Sequence, residues 1–431
     1  MADSIGLQPT KGTSRFLTAR VLFVAVLALS CRPARLRGPI AHEAYVWQRA
    51  WTPAVRAAVA RAAPALAGLT VLAAEVSWRH GQPGVVRVPI DLAALGECVC
   101  PIGLALRLGA FPGPFAGDDA TARLVVDLAG EMVDQAHAAG LAPAELQLDF
   151  DCAQQDLAGY RLWVEAMRAR VAPVPLSITV LPSWLGEREL PALLRAAGAF
   201  VLQVHSLAAP PPGRGRWSLC EPEAARVAVE RAGRIGVPFR VALPTYGYRA
   251  AFDARGKLAG LSAEGPWSGR WEGATIREVR ANAGEMAGLV EGWRTSRPSR
   301  MRGVIWYRLP SDDDVLNWRW GTLAAIIAGR IPRPLLRAEA RAGAAGVIEI
   351  SLNNTGDADA KLPAAVRLRW GNARLLAGDG QGDFGLAPAP AGAELRPARS
   401  GVILPGERRV VGWLRLEESR EVSADVEFSR Q

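Results

Sequence analysis

The stretch that decides the fold is Glu145-Leu146-Gln147-Leu148-Asp149-Phe150-Asp151-Cys152. Its apolar residues alternate with a glutamine and two aspartates, and this period of two is typical of a β-strand. A polar face on so apolar a strand suits the inside of a parallel barrel, because helices cover the outside. We therefore predict that Asp149 and Asp151 lie at the carboxyl end of the strand, where barrel enzymes keep their chemistry. The alternative is a carboxylate pair in a surface turn leading into a helix that begins near Asp156.

Strand-like segments of this kind alternate with helical segments through most of the chain. The predicted strands cover 44–48, 69–78, 102–111, 145–151, 176–181, 200–205, 239–243 and 303–309. The predicted helices cover 52–66, 120–139, 156–171, 189–197, 221–235, 275–295 and 320–328, with an insertion at 79–100. Eight strands alternating with helices indicate a (β/α)₈ barrel, or TIM barrel, over residues 42–330. A doubly wound open sheet is disfavoured, because no glycine-rich phosphate turn follows the first strand.

The pattern changes after the hinge Ile331-Pro332-Arg333-Pro334. Short alternating runs follow, and turn signals such as Asn353-Asn354-Thr355-Gly356 separate them. This pattern predicts a small C-terminal β-sandwich domain over residues 335–431. Its aromatic residues are few, so we expect it to support the barrel and not to bind glycan itself.

The N-terminus has the pattern of an export signal. Arg15 and Arg20 precede the apolar run 21–29, which is too short to span a bilayer comfortably. We predict that residues 1–31 are a signal peptide and that the protein is exported, to be periplasmic or anchored to the envelope. Ser30-Cys31 resembles the lipobox of bacterial lipoproteins, although Leu29 stands where a small residue is usual. The membrane contact would then be this signal or a lipid anchor, and the alternative is an uncleaved single-pass anchor.

Charge distribution and cysteine spacing disfavour nucleic-acid binding and a metal centre. The formal net charge of +9 comes from arginines scattered along the chain, and no compact basic run follows residue 37, which disfavours nucleic-acid binding. Four cysteines follow Cys31 and allow three disulfide pairings. Cys98 and Cys100 lack a second Cys/His pair for zinc. No dense ligand pattern accompanies Asp149, Asp151 and His205, so we predict neither a metal nor a cofactor.

Inner-face and strand-end residues of the predicted barrel gather at one rim. The candidate catalytic residues are the carboxylates Asp151, Asp149 and Glu75. The candidate substrate-binding residues are Trp47, Arg107, Trp184, Gln203, His205, Tyr246, Trp306, Tyr307 and Asp312. Carboxylates among aromatic rings suit a carbohydrate, because sugars have apolar ring faces and glycosidic cleavage needs an acid together with a base or nucleophile. The alternatives are that Glu75 and Asp149 neutralise Arg107 as buried ion pairs and that His205 is a core histidine.

Two sets of motifs resemble known families. Leu148-Asp149-Phe150-Asp151, together with Gly303-Val304-Ile305-Trp306-Tyr307 and Asp312-Asp313, resembles the family 18 chitinase-type glycoside hydrolases. A wider set resembles an exported bacterial barrel family of unknown function that is related to these glycosidases. The motifs of this wider set are Tyr45-Val46-Trp47-Gln48-Arg49, Leu148-Asp149-Phe150-Asp151, Leu181-Pro182-Ser183-Trp184, Leu243-Pro244-Thr245-Tyr246-Gly247 and Trp306-Tyr307-Arg308-Leu309-Pro310. The resemblance covers about residues 42–330 and implies a carbohydrate as substrate or ligand.

One position departs from the chitinase pattern. Chitinase-type enzymes place a catalytic glutamate two residues after the last aspartate, where this chain has Ala153. We predict a glycoside-hydrolase-like barrel that acts on or binds a polysaccharide, with Asp151 as the leading catalytic carboxylate. The missing acid would be Glu75 or a carboxylate of Asp312 to Asp314, and Glu75 would be structural if it pairs with Arg107. The alternative is a non-catalytic glycan-binding or envelope-assembly protein on a degenerate glycosidase scaffold.

Overall fold

The computed structural model describes residues 35–205, 217–262, 273–390, 392–417 and 421–428. Eight parallel strands follow one another around a closed barrel, in which the first strand pairs with both the eighth and the second. They are β1 (Ala41–Val46), β2 (Gly68–Arg79), β3 (Ile102–Leu108), β4 (Leu146–Phe150), β5 (Leu176–Val180), β6 (Gly198–Gln203), β7 (Phe239–Pro244) and β8 (Met301–Tyr307). The predicted (β/α)₈ barrel is confirmed.

Helices connect the strands and cover the outside of the barrel. They are α1 (Pro53–Ala62), α2 (Leu92–Gly96), α3 (Ala120–Ala138), α4 (Leu157–Val171), α5 (Leu190–Ala197), α6 (Pro222–Gly233), α7 (Ala283–Thr295) and α8 (Trp320–Ile327). Side-chain caps begin several of them: Asp119 accepts a hydrogen bond from Ala122 N at 2.7 Å at the start of α3. Within the described residues, no helix is long and apolar enough to cross a membrane, and the predicted signal at 1–31 lies outside them.

Two connections differ from the expected pattern. The segment 79–100 contains the strand Gln82–Arg87, which pairs antiparallel with the end of β2, and the short helix α2. The helix predicted over 275–295 is wrong in its first part, because Thr275–Arg280 is a strand. Three of its six residues are β-branched and favour a strand, and it pairs with Gly247–Phe252 in a three-stranded sheet completed by Leu258–Ser262. Helix α7 begins only after Asn282, whose side chain accepts from Glu285 N.

The C-terminal region forms two antiparallel sheets of four strands each. Its strands are β9 (Leu336–Ala342), β10 (Val347–Asn354), β11 (Ala365–Arg369), β12 (Leu375–Gly380), β13 (Phe384–Ala389), β14 (Gly392–Pro397), β15 (Arg408–Leu416) and β16 (Ser423–Glu427). One sheet has the order β9-β10-β15-β12 and the other β13-β14-β11-β16, and a short pair joins Ala360–Lys361 to Val402–Ile403. Apolar side chains such as Ile350, Val366 and Leu414 fill the space between the sheets, so the predicted β-sandwich is confirmed.

Candidate functional site

The inner faces of the barrel strands carry the polar residues that the sequence pattern indicated. Neighbouring strands place Glu75 opposite Arg107, and Arg107 opposite Asp149. Because all eight strands are parallel, their carboxyl ends meet at the same rim. Asp149 is the penultimate residue of β4, and Asp151 follows directly after that strand. The two carboxylates therefore lie at the rim that the alternation predicted.

A pocket of about 330 Å³ opens at this rim. The residues that line it are Tyr45, Trp47, Arg107, Asp149, Asp151, Thr179, Gln203, His205, Ala242, Tyr246, Tyr248 and Tyr307. Four of the five tyrosines in the whole chain are in this set. The pocket thus combines aromatic walls with two carboxylates and one guanidinium, which is the chemistry expected for a ligand with apolar faces and hydroxyl groups.

The two carboxylates of the pocket differ in environment. Burial raises the pKa of Asp149 to about 6, and the charges of Asp151 and Glu75 add to this rise. Arg107 and a hydrogen bond with Thr179 act in the opposite direction. Asp151 is exposed at the mouth of the pocket. Asp149 therefore keeps its proton to a higher pH than an ordinary aspartate does, and Asp151 is the carboxylate that a ligand can reach.

Arg107 faces the pocket without a hydrogen bond to any described residue. Its nearest acidic oxygen is Glu75 Oε1, 3.9 Å from Arg107 Nε, and its side chain is 39% exposed. Glu75 is instead held by Arg49, whose guanidinium donates to both carboxylate oxygens at 2.6 and 2.9 Å. Glu75 does not line the pocket, and its contact with Arg107 is weaker than its contact with Arg49.

Aromatic contacts fix the opposite wall of the pocket. His205 is buried, and burial lowers its pKa to about 3, so its ring is neutral at ordinary pH. Its Nδ1 lies 3.3 Å from the hydroxyl of Tyr246, and its ring stacks on Tyr307 with centroids 5.2 Å apart. Tyr45 packs edge-on against both Trp47 and Tyr307 and accepts a hydrogen bond from Gln147. These contacts hold the rings in place before any ligand binds.

Three of the residues predicted to bind substrate lie elsewhere. Trp306 points out of the barrel, where it is fully buried and donates from Nε1 to His42 Nδ1 at 3.1 Å. Its neighbour Tyr307 faces the pocket, because successive strand residues point to opposite faces. Trp184 is buried next to Tyr160, and Asp312 is exposed and paired with Arg61 at 3.2 Å. Trp47, Arg107, Gln203, His205, Tyr246 and Tyr307 do line the pocket, together with Asp149 and Asp151.

Several functional positions were not singled out by the sequence pattern. Tyr45, Thr179, Ala242 and Tyr248 line the pocket. Tyr45 shares the alternation of Trp47, and Tyr248 follows Tyr246 at the same spacing, so parity was the signal that could have found them. Among the described residues, no group of three or more His, Cys, Asp or Glu side chains could hold a metal ion.

A second charged layer lies deeper in the barrel, at the amino end of the strands. Arg240 donates to Glu43 and to both carboxylate oxygens of Glu145, at 2.6 and 2.7 Å for the latter. Ser177 also donates to Glu145, at 2.9 Å. Gly103 leaves room for this layer, because a Cβ atom there would lie 2.9 Å from Glu145 Cγ. The layer closes the barrel below the pocket.

The chain thus forms a closed parallel barrel with a carboxylate-bearing pocket at its carboxyl rim. Residues 115–312 match the model of a domain of unknown function, DUF3142. Residues 337–417 match a second domain of unknown function, DUF8456, which covers most of the sandwich. No curated protein matches the chain in sequence at a significant level.

Solved structures similar to this chain include glycan-degrading barrels of low identity. The spore cortex-lytic enzyme SleL of Bacillus cereus is 12% identical, with 69% of this chain and 75% of that chain covered at a TM-score of 0.47. A chitinase of Chromobacterium violaceum is 17% identical, with 67% and 98% covered at 0.44. Chitinase ChiA74 of Bacillus thuringiensis is 10% identical, with 89% and 100% covered at 0.45.

Proposed function

We propose that the protein binds a polysaccharide in the rim pocket and cleaves a glycosidic bond there, with Asp151 as the carboxylate that acts on the sugar. The observation that carries this proposal is the pair Asp149 and Asp151 facing a cavity walled by tyrosines and Trp47. Aromatic faces pack against the apolar faces of sugar rings, and carboxylates with Gln203 offer hydrogen bonds to hydroxyl groups. The pocket is too polar for a purely apolar ligand.

The carboxylate pair can supply acid and base together. Glycosidic cleavage needs one protonated and one ionised group, and neighbouring carboxylates with separated pKa values provide them. Because burial raises the pKa of Asp149 to about 6, this carboxyl group keeps its proton in mildly acidic solution. Asp149, which lies deeper in the barrel, would influence the proton affinity of Asp151 through its charge, and Asp151 would contact the sugar.

A second candidate function is non-catalytic glycan binding or envelope assembly on the same scaffold. Two observations favour it. Ala153, at the position of the chitinase glutamate, has no group that can donate a proton. Glu75, the alternative acid predicted on β2, is held by Arg49 and does not line the pocket. On this reading the pocket retains the sugar contacts and lacks the acid across from Asp151.

One experiment separates the two candidates. Purified protein is incubated with a panel of polysaccharides, and both reducing-end release and affinity are measured for the parent, Asp151→Asn and Asp134→Asn. Asp134 is an exposed helix residue paired with Arg170, so its variant is a matched loss of one carboxylate away from the pocket. If the protein is a hydrolase, the parent and Asp134→Asn release reducing ends and Asp151→Asn does not. Binding without release supports the second candidate, and neither binding nor release by folded protein contradicts both.

We also propose that the polysaccharide is extracytoplasmic, on the strength of the export signal in residues 1–31. The residue that distinguishes a lipid anchor from an uncleaved one is Cys31. Replacing Cys31 with serine releases the protein from the membrane fraction if the cysteine is lipidated. Membrane association that is unchanged in this variant points to an uncleaved anchor.

A further inference from the structure

The pocket holds an excess of negative charge next to aromatic faces. Its charged lining residues are Asp149, Asp151 and Arg107, two carboxylates against one guanidinium. The charges beside it cancel in pairs, Arg49 with Glu75 and Arg308 with Asp314. His205 is buried and hydrogen-bonded to Tyr246 as a neutral ring. The ionised pocket therefore carries about one uncompensated negative charge.

This charge is not satisfied from within the protein. Among the described residues, Asp151 accepts no hydrogen bond, and Arg107 donates none. An excess anionic charge in a partly buried cavity is unfavourable, and a cation supplied by a ligand relieves it. Tyr45, Tyr246, Tyr248 and Tyr307 surround the same cavity, and an ammonium group is attracted to the faces of such rings.

A separate observation also points to a ligand in this cavity. Trp47 lines the pocket and is 2% exposed, yet its Nε1 has no hydrogen-bond partner among the described residues. A buried indole N–H without an acceptor is costly, and a bound molecule with a hydroxyl or ring oxygen would satisfy it. The ligand thus needs hydroxyl-type acceptors as well as a positive charge.

We propose that the glycan bound here carries a free amine, so that the sugar in the pocket is an amino sugar without an acetyl group. This inference rests on the proposed function and narrows it to one chemical class. The ammonium group lies between Asp149 and Asp151, the sugar ring packs against the tyrosines, and Trp47 donates to a sugar oxygen. Arg107 then limits the excess negative charge to one unit, which matches one ammonium group.

The test uses three tetrasaccharides of one β-1,4 linkage that differ only at C2: glucosamine, N-acetylglucosamine and glucose. Affinity is measured by calorimetry at a pH above the pKa of Asp149 and below that of the sugar amine. The glucosamine tetramer is expected to bind at least about tenfold more tightly than the other two. The advantage shrinks as salt is added, because the attraction is electrostatic.

Two variants of the pocket should change the preference for the amine in opposite directions. Asp151→Asn removes the preference for the amine, Arg107→Gln increases it, and Asp134→Asn leaves it unchanged; circular dichroism checks that each is folded. Equal or tighter binding of the N-acetylated or the neutral tetramer overturns the amine inference and leaves the glycan site standing. Failure of all three tetramers to bind also overturns it, and the wider polysaccharide panel then decides separately on the proposed function.

Discussion

The two ends of the barrel interior carry the same set of charged groups but differ in how these groups are hydrogen-bonded. Each end has two carboxylates and one guanidinium: Glu43, Glu145 and Arg240 at the amino end, and Asp149, Asp151 and Arg107 at the carboxyl end. At the amino end the guanidinium donates to both carboxylates, and Ser177 adds a further hydrogen bond. At the carboxyl end the described residues leave Arg107 and Asp151 without one. The difference lies in hydrogen bonding and not in net charge.

We propose that this difference separates a structural layer at the amino end from a layer at the carboxyl end that binds a ligand. Glu145, directly before β4, belongs to the amino-end layer, and Asp149, within β4, belongs to the carboxyl-end layer. A buried ion cluster with its hydrogen bonds complete holds the barrel closed, and its removal leaves uncompensated charges. An incomplete cluster beside a cavity leaves donors and acceptors for a bound molecule. Matched substitutions at the two ends should therefore have opposite consequences for stability and for binding.

The largest expected effect is on stability at the amino end. Arg240→Gln leaves the carboxylates of Glu43 and Glu145 buried without their cation and should lower the free energy of unfolding by about 3–5 kcal/mol. Arg107→Gln, the same change at the carboxyl end, should cost less than about 1 kcal/mol, because its nearest acidic oxygen is 3.9 Å away and it is 39% exposed. Denaturant unfolding of the two variants measures both values. Equal losses would show that the two layers are alike.

The next effect is a pH dependence at the carboxyl end. The pKa of Asp149 is 3.8 in the reference state and about 6 in the folded protein, so the folded state binds more protons between these values. The protonated Asp149 carboxyl group therefore stabilises the folded protein at low pH. This stabilisation, on the order of 3 kcal/mol, is lost as pH rises from about 4 to about 6. Buried His42 and His205 have lowered pKa values and act with the opposite sign.

The contribution of Asp149 can be separated from that of the histidines by comparing the unfolding free energies of two proteins. Parent and Asp149→Asn share both histidines, so the difference in their unfolding free energies cancels that contribution. Relative to the parent, Asp149→Asn should gain stability as pH rises from 4 to 6 and stay constant above about 7. A difference that is flat across this range would mean that Asp149 titrates as an ordinary surface carboxylate.

The smallest expected effect concerns Glu75. Because Arg49 holds its carboxylate outside the pocket, Glu75→Gln should change the affinity for polysaccharide by less than about fivefold. Stability should change by about 0–1 kcal/mol, the usual range for a pair with an exposed arginine. Affinity measurements on this variant beside the parent test the assignment. A loss of turnover with normal folding would restore Glu75 as the missing acid.

The sequence pattern predicted the barrel because long segments with periods of two and 3.6 alternate eight times. It also predicted that Asp149 and Asp151 share a rim with Arg107 and Tyr246, since parity and strand direction determine where a side chain points. The contacts of loop residues cannot be predicted from strand alternation. The position of Arg49 in the sequence, for example, does not show that it pairs with Glu75. The sequence predicts a helix over the strand Thr275–Arg280, because its pairing partner, Gly247–Phe252, lies in a segment with the pattern of a loop.

The proposed sugar site is the carboxyl-end layer, in which Asp151 and Arg107 make no hydrogen bond to the described residues. The most direct test is the affinity of the tightest polysaccharide of the panel for Asp151→Asn, at the carboxyl end, and for Ser177→Ala, at the amino end. We predict that Asp151→Asn weakens binding at least about tenfold with unchanged unfolding free energy, while Ser177→Ala leaves binding as in the parent. Unchanged affinity in a folded Asp151→Asn variant would contradict the claim and place the ligand elsewhere on the molecule.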